Sequence, residues 1–288
     1  MAAIRGEHTV LIIIGGGEAK EGDAPILTRV VTLAGGGGAR ILVCTAASEE
    51  PEPAAAPYLR AFRRLGAAEV AALDIPHRRA ASSPGNLRRL RDATALFFAG
   101  GDQIRITAVL GGTPLERLLR RRFRAGLLVA GTSAGASVVS STMVVGGEAE
   151  VAPQMNAIRL APGLGLLPGV VVDQHFAERG RIGRLLAALA CNPRPLALGL
   201  DEDTAVVAAD GRLRVLGSGA ATICDGRRSA FTNVSETAPG QPLALAGVLL
   251  HILPSGYGFD LKRRRPLRPE DTRRAHAAGH KHESHASP

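Results

Sequence analysis

The stretch Gly131-Thr132-Ser133-Ala134-Gly135 sets a serine in the pattern G-x-S-x-G. That spacing suits nucleophilic catalysis. The glycines let the chain turn sharply without side-chain clashes, and the turn exposes the serine Oγ. The preceding run Gly126-Leu127-Leu128-Val129-Ala130 reads as a buried strand, and Ala136-Ser137-Val138-Val139 can open a helix. In such an elbow the Ala134 N–H faces a developing oxyanion. A serine needs a base, and Val170-Val171-Val172-Asp173-Gln174-His175 supplies one at the polar end of an apolar strand. Catalytic groups gather at the carboxyl ends of strands in open α/β sheets, so His175 falls at the same edge as Ser133.

A second oxyanion donor comes from another strand-to-helix loop in hydrolases built this way. The Gly101 N–H suits that part, because Gly100-Gly101-Asp102-Gln103 follows the apolar run Ala95-Leu96-Phe97-Phe98. The acid that orients the histidine stays open at this point. Glu148, Glu150 and the trio Asp201-Glu202-Asp203 all follow strand-like or glycine-rich segments. Arg179, Arg181 and Arg184 come soon after His175. With the chain helical from Phe176, Arg181 and Arg184 share a face and suit an acidic substrate, since guanidinium binds carboxylate through two parallel bonds.

The elements that position these groups follow from hydrophobic runs. Val10-Leu11-Ile12-Ile13-Ile14, Ile41-Leu42-Val43-Cys44, Ala68 to Leu73 and Ala95 to Phe98 read as strands, with amphipathic helices at Pro57–Leu65 and Asn86–Asp92. Continuous apolar strands alternating with helices specify an α/β fold with a buried, mostly parallel sheet and helices on both faces. The shorter runs from Leu196 to Ile252 read as antiparallel hairpins that extend the same sheet. Gly15-Gly16-Gly17 is a glycine-rich turn after the first strand. It is not a nucleotide loop, because Lys20 stands where the dinucleotide fingerprint needs glycine and the phosphate-loop Lys-Ser/Thr pair is missing.

Composition narrows the function classes. Hydrophobic residues make up 45% of the 288, enough for one large α/β domain or two small ones. No apolar run reaches the roughly 18 residues of a membrane span, and Met1 to His8 lack a signal-peptide pattern. The expected compartment is therefore the cytoplasm, with no membrane partner. Cys44, Cys191 and Cys224 form neither a disulfide framework nor a metal pair. The net charge of +9 raises the question of nucleic acid, but aromatic residues are only 3%, too few for stacking platforms. Much of the excess lies in Arg120-Arg121-Arg122, Lys262 to Arg265 and Arg273-Arg274, so no nucleic-acid partner is expected. Residues 1–262 read as a single domain and 263–288 as a basic, His-rich, disordered tail. Its His276, His280, His282 and His285 read as tail composition and not as a metal site.

Five separated motifs occur in one order: Ile14-Gly15-Gly16-Gly17-Glu18, Phe97 to Gln103, Gly131 to Ala136, Asp173-Gln174-His175-Phe176 with Arg179, Arg181, Arg184 and Leu185, and Gly199 to Thr204. In these the chain resembles the cyanophycinases, a branch of the dipeptidase E-like serine peptidases. The resemblance implies a three-layer α/β sandwich, flavodoxin-like or like class I glutamine amidotransferases, and a homodimer. It implies hydrolysis of cyanophycin, a poly-aspartate bearing arginine on its side-chain carboxylates, to β-Asp-Arg dipeptides. The alternative within the family is cleavage of Asp-X dipeptides. Carried over, Ser133 is the nucleophile, His175 the base and Glu202 the preferred acid, with Glu148 second. Gln103, Asp173, Gln174, Arg179, Arg181 and Arg184 line the substrate groove. The chemistry calls for no metal or organic cofactor.

Overall fold

The computed structural model describes residues 9–147, 152–155 and 158–272. Its first half holds β1 (Leu11–Ile14), α1 (Pro25–Leu33), β2 (Arg40–Cys44), α2 (Pro51–Arg64), β3 (Glu69–Leu73), α3 (Pro84–Asp92), β4 (Ala95–Phe98), α4 (Gln103–Leu110), α5 (Pro114–Arg124) and β5 (Leu128–Thr132). There follow α6 (Ala134–Ser137), β6 (Thr142–Gly147), β7 (Ile158–Pro162), β8 (Val170–Gln174), α7 (Ile182–Cys191), β9 (Leu196–Leu200), β10 (Thr204–Ala209) and β11 (Arg212–Gly217). The last elements are β12 (Ala220–Asp225), β13 (Phe231–Thr232), β14 (Leu245–Ala246), β15 (Leu249–Pro254), β16 (Gly258–Asp260) and β17 (Arg265–Leu267).

The main sheet runs β17-β16-β11-β10-β1-β5-β4-β2-β3. Its five strands from β1 to β3 are mutually parallel, and four antiparallel strands extend the β1 side. Alternate residues of the parallel strands feed two cores. Ile12, Ile14, Ile41, Val43 and Phe97 pack under α1 and α2, while Leu11, Ile13, Leu42, Leu96 and Phe98 pack under α3, α4 and α5. A strand covered on both faces has no solvent side, which is why these strands read as unbroken apolar runs. Neighbours β1 and β5 send their following helices to opposite faces, since α1 joins one core and α6 the other. Such a divergence opens a crevice at the carboxyl edge, where open α/β sheets bind ligands.

Three expectations need correction. The strands after Leu196 do not all extend one sheet. β10 and β11 join the main sheet, whereas β15-β12-β9-β8 form a second one in which β8 and β9 are parallel. The link Asp201-Glu202-Asp203 crosses between the two sheets, so β9 and β10 cannot pair as a hairpin. Secondly, the chain is not helical from Phe176. Gly180, at φ 57, sits in a run of turns, and α7 begins at Ile182. Thirdly, the boundary expected at residue 262 falls inside ordered structure. β17 pairs with β16, Leu267 is buried, and Arg264 reaches Asp225 at 2.7 Å. The rest of the expected tail, 273–288, lies outside the described residues. Among those described, no helix is long and apolar enough to cross a membrane.

Candidate active site

Ser133 directly follows β5 in a conformation that L-residues rarely adopt, with φ 53 and ψ −112. The elbow glycines explain how the chain tolerates it. A Cβ on Gly131 would lie 2.2 Å from the Gly135 carbonyl oxygen, and one on Gly135 would lie 2.4 Å from that of Phe98. Only hydrogen fits at either position. The helix that follows is a single turn, Ala134–Ser137, shorter than its sequence suggests.

Ser133 Oγ stands 3.0 Å from His175 Nε2, and His175 Nδ1 stands 2.5 Å from Glu202 Oε1. In a row of this kind an imidazole can take a hydroxyl proton while the carboxylate fixes its tautomer. Among the candidate acids, Glu202 is thus the one beside the histidine. Asp201 accepts from the Ala177 and Ala220 amides, and Asp203 from those of Ala19 and the Ser218 hydroxyl. Glu148 and Glu150 lie outside the described residues. Gly100 runs against the serine, since a Cβ there would come 3.5 Å from Ser133 Cβ.

The three members sit at the ends of strands from both sheets, and the turn after β1 touches them all. Ile14 C=O accepts from Ser133 N–H at 3.1 Å, Gly15 C=O from His175 N–H at 2.8 Å, and Gly16 C=O from Asp203 N–H at 2.8 Å. Each of those three donors has positive φ: 53, 47 and 45. The turn also lies under the side chains. A Cβ on Gly16 would come 2.3 Å from His175 Cε1, and one on Gly17 would come 2.7 Å from Glu202 Oε2. Nothing in the residues of this turn taken alone assigns it a share in the site. The only local signal was a glycine triplet at the carboxyl end of a buried strand.

Residue Glu18, also missed, is 2% exposed and accepts hydrogen bonds from Tyr58 and Thr132. The available sign in the sequence is an acid directly after a glycine turn at the end of an apolar run.

The arginine-rich segment is organised around one acid. Asp173 is wholly buried, and Arg184 forks onto it with Nε 2.6 Å from Oδ2 and Nη2 on Oδ1. Arg181 Nη1 donates to Asp173 Oδ1, to the Gln174 carbonyl and to Gln174 Oε1. Arg181 and Arg184 are both buried, whereas Arg179 is exposed in the turn. Burial draws the Arg181 guanidinium down to about 10, with Asp173 opposing and Arg184 and Arg179 adding to the fall. Two guanidiniums, those of Arg181 and Arg184, thus share one carboxylate. Gln103, at the start of α4, is buried and donates to Val144 C=O at 2.7 Å.

Known proteins resemble this chain. Over 261 residues the chain is 41% identical to the cyanophycinase of Trichormus variabilis, covering 90% of this chain and 88% of that protein. Over 259 residues it is 38% identical to the cyanophycinase of Geminocystis herdmanii, covering 89% and 95%. The solved structure of a peptidase from an acI-B1 Actinobacterium shares the fold with a TM-score of 0.62 at 23% identity, covering 85% of this chain and 99% of that one. The model of peptidase family S51 matches residues 11–216, a span that holds Ser133, His175, Glu202 and the turn that joins them. The chain belongs to peptidase family S51.

Proposed function

We propose that this chain is a serine exopeptidase that hydrolyses cyanophycin to β-Asp-Arg dipeptides through an acyl-enzyme. The observation that carries the reading is the row Ser133–His175–Glu202, with separations of 3.0 and 2.5 Å. Ser133 attacks the backbone carbonyl as His175 Nε2 takes its proton, and Glu202 stabilises the imidazolium. The Gly101 and Ala134 amides hold the oxyanion, a donor of this kind being worth roughly 10²–10³ in rate. The imidazolium then protonates the leaving amine. Water, activated by the same histidine, releases the acyl group. Every proton moves between side chains, substrate and water, so no metal or cofactor takes part.

Of the groove residues Gln103, Asp173, Gln174, Arg179, Arg181 and Arg184, the two arginines with unbalanced charge meet the substrate and the buried others support the groove from behind. Buried Asp173 and Arg184 neutralise each other and hold Arg181 in place. The unbalanced charge of Arg181 and of exposed Arg179 is complemented by a substrate carboxylate. The relatives named cyanophycinases, at 41% and 38% identity, support the polymer as substrate. The same reading takes the sandwich as flavodoxin-like, akin to class I glutamine amidotransferases. It takes the working unit as a cytoplasmic homodimer, and the described chain as one peptidase domain.

Incubation with cyanophycin and, separately, with Asp-X dipeptides tests the proposal, with products identified by mass. Release of β-Asp-Arg from the polymer is the expected result. Cleavage of Asp-X dipeptides alone would replace the polymer reading with the dipeptidase one.

A further inference from the structure

Glu18 poses a question that the hydrolytic row does not answer. Its carboxylate is 2% exposed. Burying a charge is unfavourable unless it is well bonded. Oε1 accepts from the Tyr58 hydroxyl at 2.6 Å, Oε2 accepts from Thr132 Oγ1 at 2.7 Å, and Lys20 Nζ lies 3.5 Å from Oε1. The Tyr58 hydroxyl is pushed well above its ordinary range, first by burial and then by the Glu18 charge, so it stays a donor. Hydrogen bonds to an ionised acceptor are roughly twice as strong as neutral ones.

What Glu18 joins decides its meaning. It follows directly on the turn that lies under His175 and Glu202, and Thr132 directly precedes Ser133. A non-glycine residue in the conformation of Ser133 persists only where its surroundings over-determine it. Ser133 N–H is tied to Ile14 C=O, and Ser133 C=O accepts from Ala136 and Ser137 at 2.9 and 3.1 Å. Those bonds hold Ser133 itself and its exit into α6. The side chain of the residue before it is held by Glu18.

We propose that Glu18 is a positioning residue for the nucleophile, acting through Thr132 to lock the entry to the elbow against the turn that carries the histidine and its acid. The proposal rests on the reading of Ser133 as nucleophile. A plain core tether between the turn and α2 would need only the Tyr58 bond. The two roles therefore separate at Thr132.

The experiment uses the full chain with Thr132→Val, Thr132→Ser, Tyr58→Phe and Glu18→Gln. Turnover of cyanophycin, the rate of Ser133 modification by a fluorophosphonate, and Tm are measured for each. Thr132→Val keeps the shape and deletes the hydroxyl. It is expected to lower kcat by roughly 10- to 100-fold with KM within about threefold, since a small misplacement of a reacting group costs on that order. Modification of Ser133 should slow in parallel, and Thr132→Ser should recover most of both. Tyr58→Phe should lower Tm while costing kcat no more than a few-fold. If Thr132→Val does not fold, Glu18→Gln is read against Tyr58→Phe, because the amide disturbs both bonds and Tyr58→Phe only one: a loss of kcat and labelling beyond that of Tyr58→Phe supports the proposal, and an equal loss overturns it. Unchanged kcat and labelling in Thr132→Val, failure of Thr132→Ser to rescue, or an equal kcat loss in Tyr58→Phe would overturn the proposal. A wild-type chain that is not labelled at Ser133 would instead overturn the nucleophile reading itself.

Discussion

Gly16→Ala is the sharpest perturbation of the turn that underlies the site. Its cost has two parts. Gly16 has φ +106, a conformation that costs an alanine on the order of 1–3 kcal/mol. The added Cβ would also stand 2.3 Å from His175 Cε1 and 2.5 Å from Nε2. Carbon atoms rest at about 3.5–4.0 Å, so the ring or the turn must withdraw by about 1 Å or more. The ring has little slack, because Nδ1 is 2.5 Å from Glu202 and Nε2 is 3.0 Å from Ser133. A misplacement of about 1 Å at a reacting group costs about 10²-fold in rate, or about 2.7 kcal/mol in activation free energy. Gly22→Ala is the matched control, with φ +61 and nothing within 4 Å of its Cβ. Turnover of cyanophycin and Tm should be measured for both. Both variants should lose some stability, and only Gly16→Ala should lose activity. A Gly16→Ala enzyme with kcat/KM within about threefold of wild type would refute the idea that the turn sets the histidine, since a displaced ring costs far more.

Ser133→Ala should abolish hydrolysis with Tm preserved, and Glu202→Gln should cost several orders of magnitude in kcat, as loss of the tautomer-fixing acid does elsewhere. A Glu202→Gln variant near full activity, checked by steady-state kinetics, would move the acid's role to another residue. Arg184→Ala leaves Asp173 buried with a weaker partner, so it should lower stability by about 3–5 kcal/mol in denaturant titration. Exposed Arg179→Ala should spare stability and raise KM for the polymer. Asp225 is pushed up by burial but drawn down further by hydrogen bonds from Arg227 and Arg264 and by the Arg264 charge, so its folded pKa lies below the ordinary value. It therefore contributes stability above about pH 4 that is lost as pH falls through the lowered value. The stability gap between wild type and Asp225→Asn should narrow below about pH 4 in denaturation curves taken from pH 7 down to 3.

The parts of the site legible in the sequence are those encoded by neighbours in the chain. An apolar run followed by a turn marks the carboxyl end of a strand, and that rule finds Ser133 after β5 and His175 after β8, which stand 3.0 Å apart. The acid was not legible from spacing. Glu202 reaches His175 only because its link crosses from the second sheet to the main one, and sheet membership is a tertiary property. The arginines misled for a related reason. Their spacing fits a helix face, but Gly180 delays α7 to Ile182, and Asp173 then draws Arg181 and Arg184 inward. A solvated basic stripe and a buried charge cluster have the same sequence pattern until the partner is placed. The last strand escaped notice because Arg265-Pro266-Leu267 carries one apolar residue, too few for a periodicity, and gains its place from pairing with β16.

The geometry also explains why the first turn must be glycine although it supplies no reacting atom. Three consecutive carbonyls, of Ile14, Gly15 and Gly16, accept from Ser133, His175 and Asp203, residues from three strand ends in two sheets. Each donor has positive φ, a conformation that costs an L-residue energy and that packing alone would relax. A backbone can bond in three directions at once only where no side chain fills the space between, and the His175 ring and the Glu202 carboxylate occupy that space. The turn is thus a common reference for parts that the two sheets bring together independently. A change at one strand end moves one member of the row, whereas a change in the turn moves the histidine and its acid together relative to the serine.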